Sequence, residues 1–194
     1  MDLARGLKEI RRLRDAGVLL DIEGHRLDQS AGVVMVCCAD GDQMHDVYTT
    51  QAEMQREQRG EPRVHLLSWN GGALRLLADS PTNRRITTAQ EFLDEIRDAS
   101  VLKSIPVVAL YAHFPCGKVK DTRLEIQQVF AGLIAAKQRL KREIPGVRVA
   151  CFFHVDYPDV EAGETGSGPR KRTYFLSVAR YMELYDARSV GCVA

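Results

Sequence analysis

Apolar residues Leu3, Leu7, Ile10 and Leu13 recur at three- and four-residue intervals, with Lys8, Arg11, Arg12 and Arg14 mostly on the other faces. That period predicts an amphipathic N-terminal helix over residues 1–16 with a solvated basic face. Residues 31–38, AGVVMVCC, are continuous, short and β-branched, which reads as a strand buried on both faces. Residues 43–58 read as a polar helix with Met44, Val47, Tyr48 and Met54 inward. RVHLLSW, residues 63–69, is a second strand that ends in Asn70-Gly71-Gly72. Thr88 with Glu91, and Thr122 with Glu125, have the spacing of capping boxes and open two further helices. The second of these carries Ile126, Val129, Phe130, Leu133 and Ile134 in helical register. VVALYA (107–112) and VRVACFFHV (147–155) supply strands three and four, and TYFLSVARY (173–181) an edge strand added by a hairpin.

Strands alternating with helices predict an α/β fold with a mostly parallel sheet flanked by helices. The whole of 1–194 reads as one domain, with a core at 32–157 and a C-terminal hairpin strand and tail at 158–194. Composition agrees: 194 residues, 45% hydrophobic and 27% charged, suit a single soluble globular unit. A net charge of +1 gives no field to draw nucleic acid or an anionic membrane. The basic N-terminus lacks the apolar block of a secretory signal, and no apolar run is long enough to span a bilayer. Five cysteines, two of them adjacent, argue against a disulfide framework and for a reducing, cytoplasmic setting. Two motifs are set aside. Gly163 and Gly168 have phosphate-loop spacing, but Pro169 replaces the lysine and a strand follows instead of a helix. Cys192 stands third from the end, where prenylation requires the fourth position.

Chemistry concentrates where the strands end. Cys38 closes strand one, Asn70, Gly71 and Gly72 follow strand two, and His113 and Cys116 follow strand three. In open α/β sheets ligands bind beyond the carboxyl ends of the strands, where strand order reverses. Cys38, His113 and Cys116 offer two sulfurs and an imidazole, the donors zinc prefers, and Asp40 is within reach of a fourth position. Cys37 points to the opposite face and reads as core. His154 and Asp156 close strand four and have two readings, a proton relay or a structural pair. His25, His45 and His65 have no partner pattern and read as structural. Gly71 and Gly72 serve either a close backbone approach or a plain turn.

Cys38-Ala39-Asp40, Trp69-Asn70-Gly71-Gly72-Ala73-Leu74 and His113-Phe114-Pro115-Cys116-Gly117 resemble, in order and placement, the three signatures of β-class carbonic anhydrases. The resemblance runs from about Gly32 to Tyr157, and the two ligand motifs are its specific part. It implies a parallel core of strand order 2-1-3-4 and a zinc on Cys38, His113 and Cys116. It also implies a small-molecule substrate, carbon dioxide, hydrated to bicarbonate with help from Asp40, and a homodimer or dimer of dimers. Asn70, Gly71, Gly72 and Asp42 become candidates for the substrate pocket. Close relatives of that family hydrolyse carbon disulfide or carbonyl sulfide, which keeps a second substrate class open. One departure matters: the family's Cys-x-Asp-x-Arg has Asp42 here in place of Arg. An anion beside Asp40 leaves three outcomes. Asp40 ligates the metal and closes the site, or Lys118, Arg75 or Arg84 stands in for the cation, or the chain is a zinc-holding scaffold without catalysis.

Overall fold

A computed structural model describes residues 2–22, 27–157 and 170–190; His25, the 163–169 glycine segment and Cys192 lie outside the described residues. In chain order the elements are α1 (Leu3–Asp15), β1 (Leu19–Asp21), β2 (Val33–Cys37), α2 (Gly41–Arg59) and β3 (Val64–Ser68). A 3₁₀ turn (Gly72–Leu76), α3 (Thr88–Lys103), β4 (Val107–Phe114), α4 (Gly117–Asp121) and α5 (Ile126–Glu143) follow. β5 (Arg148–Asp156), β6 (Lys171–Leu176) and α6 (Val178–Val190) complete the described chain.

The strands form one sheet in the order β1-β6-β5-β4-β2-β3. β3, β2, β4 and β5 are parallel, in the arrangement expected for the core. β6 joins antiparallel, and β1 pairs with its far side. The three-residue β1, too short to leave a periodic signal, therefore takes the edge place assigned to 173–181. That segment also changes character midway. Its strand stops at Leu176 and α6 begins at Val178, because Ser177 acts as a helix start. The Tyr181 N–H donates to the Ser177 carbonyl, and the Arg180 N–H to its hydroxyl.

Every residue of β2 and β4 is buried, as a parallel strand covered on both faces requires. Alternation sends Val34, Val36, Val108 and Leu110 to a core shared with α1, α3 and α5, where Leu7, Ile10 and Leu13 are also buried. Val33, Met35, Ala109 and Tyr111 face the other way, under Val47 and Met54 of α2. The inner side of α2 is more polar than its apolar pattern predicted. Tyr48 is exposed, whereas Gln43, Gln51 and Gln55 are buried. The burial of Gln51 and Gln55 is tolerated because their amides find partners: Tyr111 Oη donates to Gln51 Oε1 at 2.9 Å, Gln51 Nε2 donates to Gln29 Oε1, and Gln55 Oε1 accepts from the Arg63 N–H at 2.6 Å.

Neither capping box forms at the expected residues. Thr88 is already helical and buried, with Thr87 before it. The Thr122 hydroxyl donates to the Lys118 carbonyl at 2.9 Å and finishes α4. Three residues on, Gln128 Oε1 accepts from the Glu125 N–H at 2.8 Å and opens α5.

Candidate metal centre

β2 and β4 are neighbours, and the chain leaves β2 for β3 on one side and β4 for β5 on the other. This is the reversal point of the parallel core, and its carboxyl ends open into one crevice. Cys38 lies one residue beyond β2, His113 is the penultimate residue of β4, and Cys116 is the N-cap of α4. One ligand atom from each lies within 4.8 Å of the others, and all three residues are buried.

The surroundings suit a bound cation. Both ring nitrogens of His113 are buried without a hydrogen-bond partner among the described residues. An imidazole left in that state is costly unless something binds it. The neighbouring Cys116 sulfur chiefly draws the Cys38 thiol below its usual value; His113 and the Gly71 amide add to this, against burial. The proximity of Cys38, with burial, pushes the Cys116 thiol up. Two sulfurs and one nitrogen suit zinc rather than magnesium or calcium.

The glycines stand behind the first sulfur. The Gly71 N–H donates to Cys38 Sγ at 3.2 Å. Gly72 has φ +50°, and a Cβ there would stand 2.7 Å from the Cys38 nitrogen and 2.8 Å from the Cys37 carbonyl carbon. Only glycine lets the turn after β3 lie so close to the end of β2. Asn70 is exposed, and its carbonyl accepts from Arg75 Nε at 2.6 Å. Cys37 packs on the α2 face, opposite Cys38, and burial pushes its thiol up to about 11.

Asp40 is outside the three-ligand cluster. It is the N-cap of α2, with Oδ1 accepting from the Asp42 N–H at 3.1 Å and Oδ2 3.9 Å from His113 Nε2. None of the three cations proposed from sequence reaches it through a hydrogen bond or ion pair among the described residues. Lys118 pairs with Asp121 at 2.8 Å, and Arg75 lies over the Trp69 ring while bonding Asn70. Arg84 is exposed on the loop before α3.

A cleft of about 1150 Å³ adjoins the cluster, with Cys116 in its lining. Asp40, Asp42, Asp46 and Asp156 face it, as do Lys120, Arg170 and Lys171. Leu3, the exposed end of the α1 stripe, also lies on it. Sequence reading missed Lys171, which bonds the Asp42 main-chain carbonyl and pairs with Asp46 at 2.8 Å. Its only sequence signal was the hairpin that returns β6 beside β5. His154 is buried, with Nδ1 on Thr173 Oγ1 at 2.8 Å and Nε2 without a partner among the described residues. Burial, then His113, pushes it down to about 4. Burial pushes the Asp156 carboxyl up, but hydrogen bonds from Gln43 and Arg170 outweigh this and hold it below its usual value. His45 is exposed and His65 half-buried.

No family model matches the chain, and no curated protein matches it. Solved structures similar to it include a point mutant of the β-carbonic anhydrase CafD of the filamentous fungus Aspergillus fumigatus. That match has 9% identity and a TM-score of 0.45, covering 82% of this chain and 98% of that one. A carbonic anhydrase from Streptococcus mutans matches at 11% identity and TM-score 0.44, covering 91% of this chain and 99% of that one.

Proposed function

We propose that the chain binds one zinc ion through Cys38, His113 and Cys116 and hydrates carbon dioxide to bicarbonate. The observation that carries this is the buried three-ligand cluster at the reversal of strand order, with Asp40 close by but outside it. Three protein ligands and an open fourth position are the pattern of catalytic zinc sites, whereas four protein ligands are that of structural ones. Bound there, zinc supplies Lewis acidity that makes water a usable nucleophile near neutral pH.

The chain's own residues do the rest. Cys38 and Cys116 hold the ion, and the Gly71 amide donates to the Cys38 sulfur and fixes its direction. Asp40, anchored through Oδ1, presents Oδ2 beside His113, where it would accept a hydrogen bond from the attacking water. The hydrocarbon of Phe114 and Pro115 forms part of the cleft wall through which an apolar substrate arrives.

A second reading keeps the zinc and drops the chemistry. It is favoured by Asp42, which stands where the resembled motif has arginine, and by the absence of a Lys or Arg paired with Asp40 among the described residues. Metal analysis and a carbon dioxide hydration assay on one preparation separate the two: zinc with hydration supports the hydratase, zinc without hydration the scaffold. Carbonyl sulfide and carbon disulfide belong in the same assay.

Two further parts of the proposal rest on sequence. The motif resemblance implies a homodimer or dimer of dimers. The α1 stripe lends that no support, because Leu7, Ile10 and Leu13 are buried within the chain's own core. A concentration-independent monomer mass in light scattering overturns it. The free thiols Cys37, Cys38, Cys116 and Cys151 support a reducing, cytoplasmic setting.

A further inference from the structure

Lys171, at the start of β6, is joined to Asp40 through a single residue. Its Nζ donates to the main-chain carbonyl of Asp42 and to Asp46 Oδ2 at 2.8 Å. The N–H of that same Asp42 donates to Asp40 Oδ1 at 3.1 Å, and Asp40 Oδ2 lies 3.9 Å from His113 Nε2. The contacts therefore run from β6, through the first turn of α2, to the metal centre.

The anchor at the far end is itself held. Lys171 sits opposite Asp156 in the β5–β6 register. Asp156 accepts from Gln43 Nε2 at 3.0 Å and from Arg170 Nε at 2.9 Å. The opening of α2 is thus tied to the sheet at two points, by Lys171 and by Gln43. The Lys171 side chain is 26% exposed, so its ion pair is only partly screened by water. Its charge also faces the carboxylates of Asp40, Asp42 and Asp46 across one cleft, where uncompensated anions repel.

We propose that Lys171 is a positioning residue: by pinning the first turn of α2 it sets where the Asp40 carboxylate stands beside Cys38, His113 and Cys116. The proposal rests on the zinc-hydratase reading of that centre. Without Nζ the turn keeps only the Gln43 tether, and Asp40 moves onto the open position of the metal.

The test loads cobalt(II) into the wild type, Lys171→Met, Lys171→Arg, Asp40→Asn and the Lys171→Met/Asp40→Asn double variant, and records visible d–d bands. The zinc forms of the same proteins are assayed for carbon dioxide hydration. Lys171→Met is expected to alter the cobalt bands and to lower kcat by roughly 10²-fold with a smaller change in KM. Lys171→Arg is expected to restore both, and in the Asp40→Asn background Lys171→Met is expected to change neither. If the Met variant does not fold, Lys171→Gln replaces it. Cobalt bands in Lys171→Met identical to wild type overturn the positioning role, as does a rate loss that persists in full on top of Asp40→Asn. Wild-type protein that takes up metal but hydrates nothing overturns the hydratase reading alone, and the cobalt comparison still decides Lys171. Wild-type protein that takes up no metal overturns both.

Discussion

Asp40 Oδ2 lies 3.9 Å from Nε2 of His113, too far for a hydrogen bond and near enough for both to touch one small ligand. The carboxylate is kept at that distance by its own helix, since its other oxygen caps the Asp42 N–H. A side chain fixed beside a ligand set, yet outside it, separates a reactive site from a closed one.

Purified protein is expected to carry about one zinc per chain. Cys38→Ser and His113→Ala are each expected to lose most of it, because each removes one of three donors from a site with no spare donor in the cluster. Full zinc retention in both variants, by elemental analysis of folded protein, ends the metal-site reading.

Asp42→Arg is expected to raise carbon dioxide hydration at unchanged zinc content. The substitution removes a negative charge beside Asp40 and adds a positive one. It also takes an acidic residue from the first turn of α2, which costs about 1 kcal/mol of helix stability through the dipole. Higher activity with a slightly lower denaturation midpoint is the predicted combination. Equal activity in the two proteins shows that Asp42 is not what limits turnover.

Gly72→Ala is expected to destabilise the fold by about 1–3 kcal/mol and to weaken zinc binding together. The new methyl would press on the Cys37–Cys38 peptide, which carries the first ligand candidate. Gly17→Ala is the control: its φ is +69°, but nothing lies within 4 Å of the added carbon. It is expected to cost only the backbone strain and to leave zinc affinity alone. Denaturant titration and chelator competition read the two effects.

Tyr111→Phe is expected to cost about 1–3 kcal/mol, because the buried Gln51 carbonyl oxygen loses its donor. Chemical denaturation of the zinc-loaded protein measures it. A change near zero means that another donor replaces the hydroxyl.

The alternation of strands with helices made the parallel core legible, because Val33–Cys37 and residues 107–112 are short apolar runs, whereas strand order came only with the motif resemblance. The three ligand candidates were legible for the same reason: each sits at or just beyond the carboxyl end of a recognisable strand. Other features were not local enough to read. The glutamine face of α2 looks solvated until Tyr111 and Gln29 are placed beneath it. Lys171 is an ordinary basic residue until β6 folds back beside β5 and brings it to Asp42. The start of α6 was obscured because Tyr174 to Leu176 and Val178 to Ala179 form one apolar run, broken only by Ser177.

The ligand candidates at the ends of β2 and β4 are separated in the chain by α2, β3 and α3. An ion gripping Cys38 together with His113 and Cys116 therefore fastens the two central strands at the end where no turn joins them. Loop closure of that length carries an entropic cost that the folded chain meets once and the ion then secures. With the proposed ion bound, its capture and the docking of the β2–β4 crossover would become a single thermodynamic event. A chelator strong enough to strip the ion acts on the seam at the middle of the sheet as well as on the chemistry.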